Sequence, residues 1–276
     1  MTTAPNRTAP AWVQETVPTW VEPYRGAPGL PAPCEAQQGP LATTVAGVDY
    51  WQANYFVAYQ PETADYLYGA YTPLQVDYQR GTLPAYEQAV APYVHEHTSA
   101  RDLALALVRA VPLHPVIPPC GPKVPTDLNL SDEQLLAAEC AWCNEQSRVY
   151  VRLCQVAGIP ARMVFLFYDD GNSGHVVAEF YADGQWSMID QSWVAFGRGA
   201  DGRILSAAEC HDGGENQQRA REGYRARYRE LLAMSDAELR LDVKPDARQW
   251  LEAHAGGKER DFGCFGVLNY PLPPAS

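Results

Sequence analysis

The sequence predicts an α+β fold: a helix that carries a cysteine, packed on an antiparallel sheet, with helical additions before and after it. Three observations predict it. Val149, Leu153 and Val156 recur at helical spacing behind Cys143. Three β-rich runs follow, at 162–168, 175–181 and 185–190. Turn clusters join them, Asp169-Asp-Gly-Asn-Ser-Gly174 and then Asp183-Gly184, the second a hairpin signal.

The elements follow in order. Residues 1–45 are rich in Pro, Ala and Thr and form an extended arm, with Trp12, Trp20 and Tyr24 to pack on the body. Residues 46–205 make the main domain. Its first part holds many tyrosines, among them Tyr59, Tyr68, Tyr78 and Tyr86, which read as helix packing with hydroxyls at the surface. A short helix spans 100–111 and Pro112 ends it. A proline-rich loop covers 112–130. Ser131 caps the next helix, and Gln134 completes a capping box. Gly158 stops the 143–157 helix and Pro160 prevents its continuation. Arg162 to Tyr168 is apolar enough to be a central strand. From about 206 to 276 the pattern is helical, with charged, peripheral stretches at 222–234 and 246–254.

Bulk composition narrows the function. With 276 residues and 46% hydrophobic content, the chain can build a packed core. A net charge of −12 argues against nucleic acid or an anionic membrane as partner, and Arg-rich 218–229 is the one basic candidate. No stretch approaches the ~20 apolar residues of a membrane span. Met1 to Pro10 shows no secretory signal, and seven scattered cysteines lack framework spacing. Reduced thiols in a cytoplasm are the expectation. Oligomeric state is not legible.

The chemistry concentrates in three residues. Cys143 heads its helix, His175 stands 32 residues on in Gly-His-Val-Val-Ala-Glu-Phe, and Asp190 another 15 on in Trp-Ser-Met-Ile-Asp. A thiol, an imidazole and a carboxylate are the parts of an activated cysteine nucleophile. A helix N-terminus favours the thiolate, because its unpaired amides and dipole attract negative charge. Asp190 closes the strand next to that of His175 and can orient the ring.

Cys143-Asn-Glu-Gln-Ser-Arg-Val-Tyr-Val-Arg-Leu-Cys-Gln-Val-Ala-Gly-Ile-Pro-Ala-Arg162 resembles the core of transglutaminase-like proteins. His175-Val-Val-Ala-Glu-Phe-Tyr-Ala-Asp-Gly-Gln-Trp186 is similar to that family's histidine segment, and Ile189-Asp190 to its acidic segment. The resemblance covers about 140–193. It implies a papain-like fold and thioester chemistry without a cofactor. By it Cys143 is nucleophile, His175 general base and then acid, and Asp190 the orienter. It implies a peptide, protein or small amide as substrate, resolved by water or by an amine; hydrolysis is the expected outcome. Ala141 stands where the family often has Gly. No tryptophan lies between Trp51 and Trp142, where larger crosslinking members place one. The Cys143 amide can be one oxyanion donor; Trp142 and Gln146 are candidates for the second. Glu179 shares a strand face with His175 and is a candidate substrate contact, or else the partner of Arg162.

Other readings stay open at this point. The chain could be a scaffold on the same fold with an idle triad. Cys140-Ala-Trp-Cys143 has the spacing of a thiol–disulfide motif, and with His175 could form part of a zinc site. No metal is expected. No calcium loop is present, and His95-Glu-His97 reads as surface. Cys154 falls on the core side of its helix, and Cys210-His211 reads as loop.

Overall fold

The structure is a computed structural model. It describes residues 44–45, 48–49, 56–59, 64, 67–68, 76, 78–96, 99–111, 114–115, 131–137, 140–141, 143–168, 175–192, 194–235 and 262–268. The arm at 1–43, most of the 112–130 loop, the turn at 169–174 and the stretch at 246–254 lie outside these residues, as does Trp142.

In chain order the elements are β1 (Thr44–Val45), β2 (Val48–Asp49), β3 (Phe56–Ala58), α1 (Pro84–Glu96) and α2 (Ala100–Leu107). A single 3-10 turn, Val108–Ala110, extends α2. Then come β4 (His114–Pro115), α3 (Asp132–Leu136), β5 (Cys140–Ala141), α4 (Cys143–Val156), β6 (Ala161–Tyr168), β7 (His175–Ala182) and β8 (Gln185–Ile189). The chain continues through α5 (Ala207–Cys210) and α6 (Glu215–Ala233) to β9 (Phe262–Leu268).

Local chemistry sets the boundaries. Ser99 caps α2 by accepting from the Asp102 amide at 3.0 Å. At α3 the Ser131 hydroxyl accepts from the Gln134 amide at 3.2 Å, while Gln134 Oε1 accepts from the Ser131 amide at 2.8 Å. That is the capping box the sequence predicts. After α4, Gly158 takes a φ of 79°. The Ile159 amide donates to Cys154 O and the Gly158 amide to Gln155 O, the paired bonds of a Schellman stop. Between β7 and β8, Asp183 (φ 54°) and Gly184 (φ 83°) both occupy the left-handed region a tight hairpin needs.

The main sheet has the order β3-β9-β6-β7-β8, and every neighbouring pair is antiparallel. The run 162–168 is central, as its apolar character predicts. The C-terminal segment, which reads as helical, also supplies β9, and this strand enters the sheet between β3 and β6. A parallel bridge pairs His114 with Cys140 just before α4.

Helix α4 lies against β7 and β6 on one side and is covered by α1, α2 and α3 on the other. Its amphipathic pattern therefore understates its burial. Val149, Tyr150, Val151, Leu153 and Cys154 are all fully enclosed. They pack with Tyr86, Leu103, Leu107, Leu135, Ala178 and Phe180 in one core. A second core lies on the opposite face of the sheet, where Val164, Val177, Met188 and Val267 meet Leu205, Cys210 and Ala220. Alternation along β7 sends Val176, Ala178 and Phe180 to the first core and Val177 to the second. Each enclosed Leu or Val contributes about 1.5–3 kcal/mol.

A polar knot holds the helical layer together. The buried Asp132 carboxylate accepts from Arg148 Nε at 3.0 Å and from Arg152 Nε at 2.8 Å, tying α3 to α4. The Tyr86 hydroxyl adds a bond to Asp132 O at 2.9 Å, so this tyrosine packs as expected but with its hydroxyl buried, not at the surface. Cys210 closes helix α5 instead of lying in a loop, and its thiol is buried. No helix among the described residues is long and apolar enough to cross a membrane.

Candidate active site

Cys143 opens α4 with a half-buried, free thiol. The helix starts there, so its unpaired first-turn amides surround the sulfur-bearing residue. His175 opens β7 and is 21% exposed, enough to meet both solvent and the protein interior. Asp190 directly follows β8 and is 1% exposed. Antiparallel pairing of β7 with β8 aligns Ala178 with Ile189 and so carries Asp190 to the end of the sheet where His175 stands.

His175 Nε2 lies 2.8 Å from Asp190 Oδ2. The Cys143 side chain lies near enough to the imidazole to act on its proton affinity. Burial alone pulls the imidazole pKa down. The Asp190 carboxylate and the Cys143 sulfur, acting through charge and hydrogen bonds, outweigh burial and hold it well above 6.5.

Asp190 is fixed from several sides. Its Oδ1 accepts from the Ser192 amide at 2.9 Å. Its backbone pairs with Ala195 in both directions, the Asp190 amide to Ala195 O at 2.8 Å and the Ala195 amide to Asp190 O at 3.1 Å. The loop so closed contains Val194 at φ 51°, a strained value for a β-branched residue. Tyr224 of α6 packs nearby; burial first, and then the Asp190 charge, push its phenol pKa well up.

Other candidates from the sequence take different places. Gln146 is fully buried, and its Oε1 accepts from the Ser192 hydroxyl at 2.7 Å. It therefore contacts the loop that holds Asp190. Glu179 is fully buried in an ion pair, accepting from Arg162 Nε at 2.8 Å and from the Ala207 amide at 2.6 Å. Tyr68 donates to the same carboxylate at 3.1 Å. The Arg162 guanidinium is sandwiched, 3.7 Å from the Trp186 ring centroid and 4.6 Å from that of Tyr68. Glu179 thus completes a charge knot beneath the sheet. Burial pushes the Cys154 thiol up to about 12, against an opposing effect of the neighbouring Tyr150 hydroxyl.

Three polar residues around this cluster escaped the sequence reading: Ser147, Gln191 and Ser192, all buried. Spacing gives no signal for them. The available hint is that Asp190-Gln-Ser192 follows an apolar strand without a break in burial.

No curated protein matches the chain. Among solved structures, a proposed protease from Parabacteroides distasonis ATCC 8503 is 9% identical with a TM-score of 0.30, over 40% of this chain and 23% of that one. A proposed cysteine protease from Cytophaga hutchinsonii is 14% identical with a TM-score of 0.32, over 50% of this chain and 48% of that one. The chain thus spans less than half the length of either. A family model of the transglutaminase-like superfamily matches residues 87–191. That segment runs from α1 through Cys143, β6 and His175 to the residue after Asp190, and over it the chain is similar to the transglutaminase-like superfamily.

Proposed function

We propose that the protein is a cysteine-dependent acyl hydrolase that attacks an amide or peptide-like carbonyl. The observation that carries this reading is the imidazole of His175, which bonds Asp190 at 2.8 Å and lies near the Cys143 side chain. A cationic imidazole beside sulfur favours the thiolate, and the start of a helix favours it again.

In the first half-reaction Cys143 Sγ adds to the carbonyl carbon. The carbonyl electron pair moves to oxygen, where the Cys143 amide is one donor for the oxyanion. The oxyanion collapses, the C–N bond breaks, and His175 gives its proton to the leaving amine. A thioester on Cys143 remains. In the second half-reaction His175, now neutral, takes a proton from water as the water oxygen attacks the thioester. The C–S bond breaks, releasing a carboxylic acid and restoring the thiolate–imidazolium pair. An amine in place of water gives transfer by the same steps. Asp190 orients the ring and stabilises its charge throughout. The free thiols of Cys143, Cys154 and Cys210 fit a reducing compartment.

The test is to trap the acyl enzyme with p-nitrophenyl acetate and map it by mass spectrometry, with and without added methylamine. The reading expects an acetyl group on Cys143, no burst in Cys143→Ala, and acetate as product where no amine is added. Undiminished turnover in Cys143→Ala would overturn it.

A further inference from the structure

Gln191 is 1% exposed and has no role in the chemistry above. Its amide nitrogen nevertheless meets three acceptors, donating toward Cys143 O at 3.2 Å, Ser147 Oγ at 2.5 Å and Val176 O at 3.2 Å. The Ser147 hydroxyl faces the same two carbonyls, Cys143 O at 2.8 Å and Val176 O at 3.1 Å. The orientation of the amide is fixed by this company, because a flip would aim a carbonyl oxygen at two others.

The three acceptors belong to the segments that must converge. Cys143 O is the carbonyl of the nucleophile itself, Val176 follows His175, and Gln191 follows Asp190. One side chain therefore joins the main chains of all three. We propose that Gln191 is a positioning residue, whose amide fastens the start of the cysteine helix to the histidine strand and so sets the gap between sulfur and imidazole. The inference rests on the thiol-nucleophile reading given above.

Two features support a site-directed purpose for this arrangement. Gln191 Oε1 is buried without a hydrogen-bond partner, which ordinarily costs stability and invites replacement by an apolar side chain. The loop that presents Gln191 also holds Val194 at φ 51°, a second local cost. Backbone strain and an orphaned acceptor thus fall within four residues of the imidazole's partner, costs that suit a place where geometry matters more than stability.

The experiment compares wild type, Gln191→Met and Gln191→Asn. Methionine keeps length and removes both donors; asparagine keeps an amide but shortens its reach. Leu205→Ala, a cavity on the far face of the sheet, supplies a variant that loses Tm without touching the knot. Each is treated with iodoacetamide across a range of pH, and the rate at Cys143 is read by peptide mapping beside Tm. The expected result is a loss of about 10-fold to 100-fold in the Cys143 rate at neutral pH for Gln191→Met, with the rise in rate displaced to higher pH. Leu205→Ala keeps the wild-type profile. Gln191→Asn follows Gln191→Met and replaces it if the latter does not fold. A wild-type profile in either folded Gln191 variant overturns the positioning role and leaves the nucleophile reading standing. Failure of both to fold overturns it in favour of a purely structural staple. An unactivated Cys143 in wild type overturns both readings together.

Discussion

Asp190 holds His175 through one carboxylate oxygen and its own loop through the other: Oδ2 lies 2.8 Å from His175 Nε2, and Oδ1 accepts the Ser192 amide at 2.9 Å. The two bonds leave the carboxylate no freedom to turn. Its direction is fixed before any substrate arrives.

Asp190→Asn tests the charge separately from the shape. The Ser192 amide keeps an oxygen as its partner, so the asparagine NH2 is turned toward His175 Nε2. Two N–H groups then face each other whenever the ring is charged, and the imidazole pKa falls. We expect the alkylation rate of Cys143 at neutral pH to drop by about 10-fold or more, short of the His175→Ala level, with the fold intact by circular dichroism. An unchanged rate removes Asp190 as orienter.

The same contact makes stability depend on pH. Folding raises the His175 pKa, so the native state binds this proton more tightly than the unfolded chain. The contribution is complete below the ordinary imidazole value of about 6.5 and is lost as pH rises through the raised native value. Urea unfolding of wild type and Asp190→Asn should therefore diverge most at mildly acidic pH and converge at strongly alkaline pH.

Asp132 supplies the opposite sign. Burial raises its pKa, but Arg152 and Arg148 outweigh burial and leave it lowered. Its stabilisation is present above the ordinary carboxylate value of about 3.9 and is lost as pH falls through the lowered native one. Asp132→Ala removes the carboxylate that the buried Arg148 and Arg152 guanidiniums of α4 share, which costs roughly 3–5 kcal/mol. Chemical denaturation with a two-state fit measures it, and a loss below about 1 kcal/mol would show that the pairs are not coupled to folding.

Glu179→Gln separates two roles for that carboxylate. If it serves only the Arg162 knot, the variant loses stability while the Cys143 alkylation rate and the KM for an amide substrate stay put. A raised KM at unchanged Tm would instead return Glu179 to the substrate.

Local rules made much of the fold legible. The Ser131 capping box, the Gly158 stop and the Asp183-Gly184 hairpin are written in adjacent residues, and the structure has each of them. Strand β9 was not legible, because Phe262–Leu268 takes its central place only by pairing with β6, about a hundred residues earlier in the chain. Cys210 shows the same limit on a smaller scale: a four-residue helix capped by Ser206 is too short to leave a periodic pattern. At the site, residue types and order pointed to Cys143, His175 and Asp190. Gln191 and Ser192 stayed hidden, since a buried amide or hydroxyl looks like any loop residue until its acceptors are known.

If His175 activates Cys143, iodoacetamide labelling at neutral pH reads that activation out, with each thiol mapped in wild type and in His175→Ala. Fast, selective labelling of Cys143 is expected in wild type, with a fall to the rate of an ordinary exposed thiol in the variant. Equal labelling in the two proteins would contradict it.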